Sequence, residues 1–123
     1  MTTEVGPLAS RRVLLIEDEY FIADDLVRAF EARGAEVIGP AGTVDAALQL
    51  VARSDRLDGA VLDINLRGEM VYAVADALQE RGVPFIFSTG YDDGAIPPRY
   101  AGVRRCEKPL DPSRVAKALF GMF

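Results

Sequence analysis

The sequence predicts an α/β fold built on a doubly wound, five-stranded parallel sheet with strand order 2-1-3-4-5. Two observations carry this prediction. Short, continuous apolar runs mark strands buried on both faces. Between them lie segments whose apolar residues recur at helical spacing, the alternation that right-handed crossovers between parallel strands require.

Val13-Leu14-Leu15-Ile16 is the first buried strand. Ile22, Leu26, Val27 and Phe30 then fall on one helical face, and Gly34 closes that helix. Glu36–Gly39 reads as a short edge strand. Thr43 caps a helix that turns Val44, Ala47, Leu48 and Val51 inward. Ala60–Leu62 is the third strand, followed by a helix with Val71, Val74, Ala75 and Leu78 inward and its end near Gly82. Val83–Phe87 is the fourth strand, with Pro84 tolerable near its start. Ala101–Cys106 is a weaker fifth strand. Asp111-Pro112 supplies a cap and a first-turn proline for the last helix, whose apolar face is Val115, Ala118, Leu119 and Met122.

The fourth helix is the exception. Asp92–Ile96 alone separate Tyr91 from Pro97-Pro98, little more than one turn, and Gly94 lies within it. A short or irregular fourth helix is therefore expected. Residues 1–10 lack the basic start and apolar stretch of a signal peptide and read as a disordered lead, with the folded domain spanning residues 11–123.

Composition excludes several function classes. Half of the residues are apolar, which supports a core, yet no apolar run is long enough to cross a membrane. A formal net charge of −5 disfavours nucleic acid and anionic membranes; Arg104-Arg105 is the one evident basic patch. The lone cysteine forms no internal disulfide and suits a reducing cytoplasm. The absence of histidine removes Ser-His-Asp and Cys-His catalysis, most zinc sites and a phosphohistidine role.

What remains converges at the carboxyl ends of the strands, where such sheets build their sites. Strand one runs into Glu17-Asp18-Glu19, strand three into Asp63, strand four into Ser88-Thr89 and strand five into Lys108-Pro109. Crowded carboxylates repel unless a cation joins them, and a hard divalent ion, Mg²⁺ or Mn²⁺, suits oxygen ligands. Asp63, alone on its strand, is the candidate nucleophile for an acyl phosphate. The metal and Lys108 would neutralise the phosphoryl oxygens, the Thr89 hydroxyl would donate to one, and Gly90 would leave a backbone N–H unobstructed. Lys108 is one of two lysines among fourteen basic residues, a compact point charge where the chain otherwise uses arginine.

With "LLIEDE", "AVLDINL", "FSTGY" and "CEKPLD" in this order, the chain from Arg12 onward resembles the receiver domain of a two-component response regulator, a flavodoxin-like fold. The resemblance implies Asp63 as phosphoacceptor and Glu17 and Asp18 as the acid pair holding the metal. It also implies the Asn65 main-chain carbonyl as a further ligand, Thr89 as switch hydroxyl and Lys108 followed by a cis Pro109. Arg105 stands where receivers usually place an aromatic switch, and Gly90-Tyr91 follows Thr89 where alanine is commoner. Both features are similar to the FATGUY subgroup of stand-alone receivers, with Ser88 in place of that motif's alanine.

The expected function is a stand-alone, cytoplasmic phospho-receiver that promotes its own phosphoryl transfer and dephosphorylation without being an enzyme in the turnover sense. It would take the phosphoryl group from a histidine kinase or phosphotransfer protein and signal through a protein partner or a phosphorelay. One alternative is a Mg²⁺-dependent phosphohydrolase with an aspartyl nucleophile, which wants a second acid where Asn65 stands. The other is a pseudo-receiver that binds partners without phosphorylation. Two readings stand for Arg105, a solvated edge charge or a replacement for the switch, and two for Tyr91, a shield over the acyl phosphate or plain packing. Cys106 reads as a small core residue, and Glu19 as a solvated helix start.

Overall fold

The computed structural model describes residues 6–90 and 96–121. Five parallel strands form one sheet: β1 (Arg12–Ile16), β2 (Glu36–Ala41), β3 (Gly59–Asp63), β4 (Phe85–Thr89) and β5 (Arg105–Glu107). Their order is β2-β1-β3-β4-β5, the expected receiver-type sheet. Helices α1 (Tyr20–Ala32), α2 (Val44–Arg53), α3 (Tyr72–Glu80) and α4 (Pro112–Phe120) connect and flank it.

Strand alternation divides the core between two faces. Leu14, Ile16, Leu62 and Phe87 share one cluster with residues of α2 and α3. Val13, Leu15, Val61 and Ile86 share the other with residues of α1 and α4. All five residues of β3 are buried, as a central parallel strand covered on both sides requires. Two helix starts use the expected chemistry. Thr43 Oγ1 accepts from Ala46 N–H at 3.1 Å, and Asp111 Oδ1 accepts from Ser113 N–H at 2.9 Å with Pro112 in the first turn. Gly121, at φ 62°, closes α4 in the left-handed conformation that glycine adopts without strain.

Several boundaries differ from expectation. Residues 6–10 form turns rather than a disordered lead, because Leu8 is fully buried against the α1/α4 face and its N–H donates to Arg33 O at 2.9 Å. β4 starts at Phe85, since Val83 N–H still donates to Leu78 O in the exit of α3. β5 starts at Arg105 rather than Ala101, because Ala101 and Val103 close turns onto Pro98 O and Tyr100 O. Asn65–Leu66 and Glu69–Met70 form a small antiparallel hairpin that was not expected. Its turn residues Arg67 and Gly68 have φ 54° and 95°, the positive values of a primed hairpin turn. Tyr91, the Asp92-Asp93 pair and Met122 lie outside the described residues.

Beyond β4, the described part of the fourth-helix region is a single 3₁₀ turn, Pro98–Tyr100. Tyr100 bolts that turn to α3. Its ring stacks on Tyr72 at 5.3 Å and meets Phe87 edge-on at 5.6 Å. Its hydroxyl donates to Tyr72 O at 3.0 Å and makes a short hydrogen bond to Asp76. The Arg99 guanidinium lies 4.6 Å over the Tyr100 ring and pairs with Asp76 at 3.3 Å. The Tyr100 hydroxyl, then Arg99, holds the Asp76 carboxyl below its usual range.

Candidate acidic phosphoryl site

The site follows from strand register. Ile16 pairs with Ala41 and Leu62, Asp63 with Ser88, and Thr89 with Glu107, so all five strands end together on one rim. Ladder bonds extend past those ends. Glu17 N–H donates to Ala41 O at 2.9 Å, Ile64 N–H to Ser88 O at 3.1 Å and Lys108 N–H to Thr89 O at 3.0 Å. Each functional side chain therefore leaves from backbone held by the sheet.

Glu17, Asp18 and Asp63 present carboxylate oxygens that all lie within 4.8 Å of one another. Glu17 and Asp63 are 4% and 3% exposed, so neither is relieved by bulk water. Lys108 Nζ bridges them, at 3.0 Å from Asp63 Oδ2 and 3.3 Å from Glu17 Oε2. Two backbone donors fix the acids further: Asn65 N–H donates to Asp63 Oδ1 at 3.2 Å, and Glu19 N–H to Glu17 Oε2 at 3.1 Å. Asp18 pairs with Arg67 at 3.3 Å.

The electrostatics are unbalanced without a further cation. Burial, followed by the hydrogen bond and charge of Glu17, pushes the Asp63 carboxyl up to about 7, against the opposing pull of Lys108. Burial pulls the Lys108 ammonium down, but the hydrogen bond and charge of Asp63, with Glu17 adding to them, outweigh it and hold the group above its usual range. The lysine thus stays charged while Asp63 holds its proton into the neutral range. The all-oxygen donor set and the excess of acids over nearby cations fit a hard divalent ion, with Glu17, Asp18 and Asp63 as its side-chain ligands.

The remaining expected residues fall into three groups. Thr89, 8% exposed, ends β4 beside Asp63's strand, with Gly90 following it, and Lys108 joins Pro109 through a cis peptide bond. Asn65 contributes its N–H to Asp63 and uses its side-chain oxygen to accept from Gly68 N–H at 2.6 Å, which shapes the hairpin turn. Arg105 stands apart: it is exposed on β5 and lines a cleft between β5 and α4. Tyr91 lies outside the described residues.

Three residues, Arg67, Tyr100 and Asp76, were not anticipated, and Ser88, expected at the end of β4, has surroundings that were not. Arg67 is signalled only by the "RG" turn that delivers it to Asp18. Tyr100 and its Asp76 partner sit 24 residues apart without a local pattern. Ser88 is fully buried, and its hydroxyl has no hydrogen-bond partner among the described residues.

No family model matches the chain. The "Phyllosphere-induced regulator PhyR" of Methylorubrum extorquens is 35% identical over 124 residues, which cover 94% of this chain and 45% of that protein. The chain thus spans less than half the length of this curated relative. Among solved structures, SdrG from Sphingomonas melonis Fr1 superposes with a TM-score of 0.80 at 36% identity, covering 96% of this chain and 98% of that one. The BeF3-activated conformation of SdrG from Pseudomonas melonis Fr1 gives 0.72 at 38% identity over 90% and 94%. The response regulator REC domain of Erythrobacter litoralis PhyR gives 0.72 at 29% identity over 95% of each chain.

Proposed function

The chain belongs to the receiver domains of response regulators, and from that premise we propose that it accepts a phosphoryl group on Asp63 and signals through protein–protein contact. The observation that carries this reading is the Lys108 ammonium shared between Asp63 and Glu17 at 3.0 and 3.3 Å, beside a third carboxylate from Asp18.

In the proposed transfer, an Asp63 carboxylate oxygen attacks the phosphorus of a phosphohistidine on a histidine kinase or phosphotransfer protein. A P–O bond forms, the P–N bond breaks, and the imidazole nitrogen keeps the electron pair and takes up a proton. Asp63 must be ionised to attack, and Lys108 offsets charge on the incoming oxygens. Glu17, Asp18, Asp63 and the Asn65 main-chain carbonyl would hold Mg²⁺ or Mn²⁺, which supplies charge neutralisation at the phosphoryl group when bound. The Thr89 hydroxyl and Gly90 N–H would receive phosphoryl oxygens on the β4 side.

A donor surface adjoins the site. Ile22 and Leu26 of α1 face Pro109 and Leu110 across an apolar groove of about 470 Å³ that reaches Lys108, and Tyr20 and Phe21 stand exposed at the start of α1. This surface suits the histidine-bearing protein, which must bring its phosphohistidine to Asp63. The match to SdrG over nearly all of that chain supports a stand-alone role, with release to a partner or phosphorelay as the output. Its BeF3-activated conformation supports a phosphorylation-driven state here as well. A cytoplasmic location is part of the same proposal; no helix among the described residues is long and apolar enough to cross a membrane.

The test is transfer of labelled phosphate from candidate kinases to wild type and Asp63→Ala. Label on wild type alone supports the reading. Label on both would move the acceptor elsewhere. Sustained hydrolysis of small phosphate esters would revive the aspartyl phosphohydrolase, and partner binding that ignores Asp63→Ala would favour the pseudo-receiver.

A further inference from the structure

One polar group at the rim is left uncommitted. Ser88 lies one residue before Thr89 at the end of β4. It is fully buried, and its hydroxyl has no hydrogen-bond partner among the described residues. Buried hydroxyls are usually paired, because a bond left unmade there costs stability. Alanine would fill the same place with no hydroxyl to satisfy, so the serine calls for a physical account.

Strand register puts this hydroxyl beside the phosphoacceptor. Ser88 pairs with Asp63 on β3 and with Cys106 on β5. Residues paired across neighbouring strands share a face of the sheet, on strands about 4.8 Å apart. Ile86 and Val61, each two residues earlier on its strand, pack together in the α1/α4 cluster, and Cys106 packs against that cluster. Ser88 and Asp63 therefore project on the same side of the sheet, while Thr89 takes the other.

Lys108 crosses the same ground. It lies two residues past Cys106, and its N–H continues the ladder to Thr89 O. Its Nζ reaches Asp63 Oδ2 at 3.0 Å, although β4 stands between β5 and β3. The side chain thus spans the end of β4 on the face that Ser88 occupies. Both Asp63 oxygens already have a donor in this arrangement. Oδ1 accepts from Asn65 N–H at 3.2 Å, and Oδ2 accepts from Lys108. The Ser88 hydroxyl is left over.

That changes once Lys108 moves. In the transfer proposed above, the ammonium turns to the phosphoryl oxygens and Asp63 loses that donor. We infer that the Ser88 hydroxyl then takes the lysine's place and donates to the Asp63 acyl group, which makes Ser88 a positioning residue for the phosphorylated state. The end of β4 then carries two hydroxyls with separate tasks, Thr89 for the phosphoryl oxygens and Ser88 for the acyl group that bears them. A bond unmade in the resting protein and made after transfer biases the equilibrium towards the phosphorylated arrangement. The inference rests on the receiver reading and gives a task to a residue which that reading leaves idle.

The experiment compares two states of the full chain, wild type against Ser88→Ala and Ser88→Cys. Cysteine nearly keeps the size of serine but is a weak donor. The phosphorylated state is represented by beryllofluoride, titrated at saturating Mg²⁺ and followed by the ¹⁵N backbone peaks. Both variants should bind it about tenfold more weakly than wild type. In chelator, without beryllofluoride, the melting temperature of Ser88→Ala should equal or exceed that of wild type. A merely structural serine would move both states alike. Unchanged beryllofluoride affinity would overturn the inference. So would a loss in Ser88→Ala that Ser88→Cys restores, which would assign the effect to packing, or a resting Ser88→Ala protein that is clearly less stable. Wild type that binds beryllofluoride while the variants match it removes this inference alone. Wild type that neither binds beryllofluoride nor takes labelled phosphate removes the receiver reading, and this inference with it.

Discussion

Lys108 Nζ lies 3.0 Å from Asp63 Oδ2, and these residues, 45 positions apart, meet because β3 and β5 end on the same rim. The lysine does not cancel the charge there. Glu17 shares it at 3.3 Å, so two buried acids divide one cation.

That imbalance sets a pH dependence. In metal-free protein the Asp63 carboxyl titrates near 7, against an ordinary value of 3.8. Between those values the folded state binds more protons than the unfolded one. The stabilising contribution is thus complete below 3.8 and is lost as pH rises through 7. Asp63→Asn cannot ionise. Its melting temperature in chelator should exceed wild type by about 4 °C or more at pH 8, with the gap shrinking towards pH 5. A gap independent of pH would contradict the raised carboxyl.

Metal binding should displace that proton. Calorimetric titration of Mg²⁺ near pH 6.5, repeated in buffers of different ionisation enthalpy, should show proton release in wild type and none in Asp63→Asn. Asp18→Asn should weaken the ion by about tenfold or more. Unchanged affinity would remove Asp18 from the ligand set.

The Tyr100 anchor has a measurable value. Tyr100→Phe keeps the ring contacts with Tyr72 and Phe87 but loses the hydroxyl's bonds to Asp76 and Tyr72 O. Denaturant unfolding should show a loss of about 1–2 kcal/mol with an unchanged slope. A neutral result would mean that the aromatic packing alone holds the turn.

Ser88 predicts the opposite sign. Its buried hydroxyl has no partner among the described residues, so Ser88→Ala removes an uncompensated polar group and should be neutral or stabilising by about 1 kcal/mol. Destabilisation of that size would reveal a partner for the hydroxyl.

The sheet and the acids were legible because each rests on a short-range signal. Val13–Ile16 and Ala60–Leu62 read as strands from unbroken apolar runs, and Glu17, Asp18, Asp63, Thr89 and Lys108 were found by following those runs to their ends. The misses have a common cause. Leu8 is one apolar residue among small and polar neighbours, and only the approach of Arg33 reveals its burial. Ala101–Val103 looked like strand because β propensity cannot register a turn that closes onto Pro98 and Tyr100. Tyr100 and Asp76 lie on separate elements, and no spacing rule joins them. The cleft between β5 and α4 was visible in part: Arg104-Arg105 stood out as a basic pair, but Arg114 and Lys117 belong to α4 and join it only in space.

The hairpin turn carries one more implication. Arg67, 82% exposed at its side chain, holds the same Asp18 that an ion would use. Such a surface pair contributes little to the fold, but it makes metal entry an exchange of one cation for another. Added salt weakens both the resident guanidinium and the incoming ion, so the two effects partly offset. The tip of this small loop would therefore act as a buffer towards such an ion, lowering its affinity while making occupancy less sensitive to ionic strength. Arg67→Ala should bind Mg²⁺ more tightly and show a steeper dependence on salt.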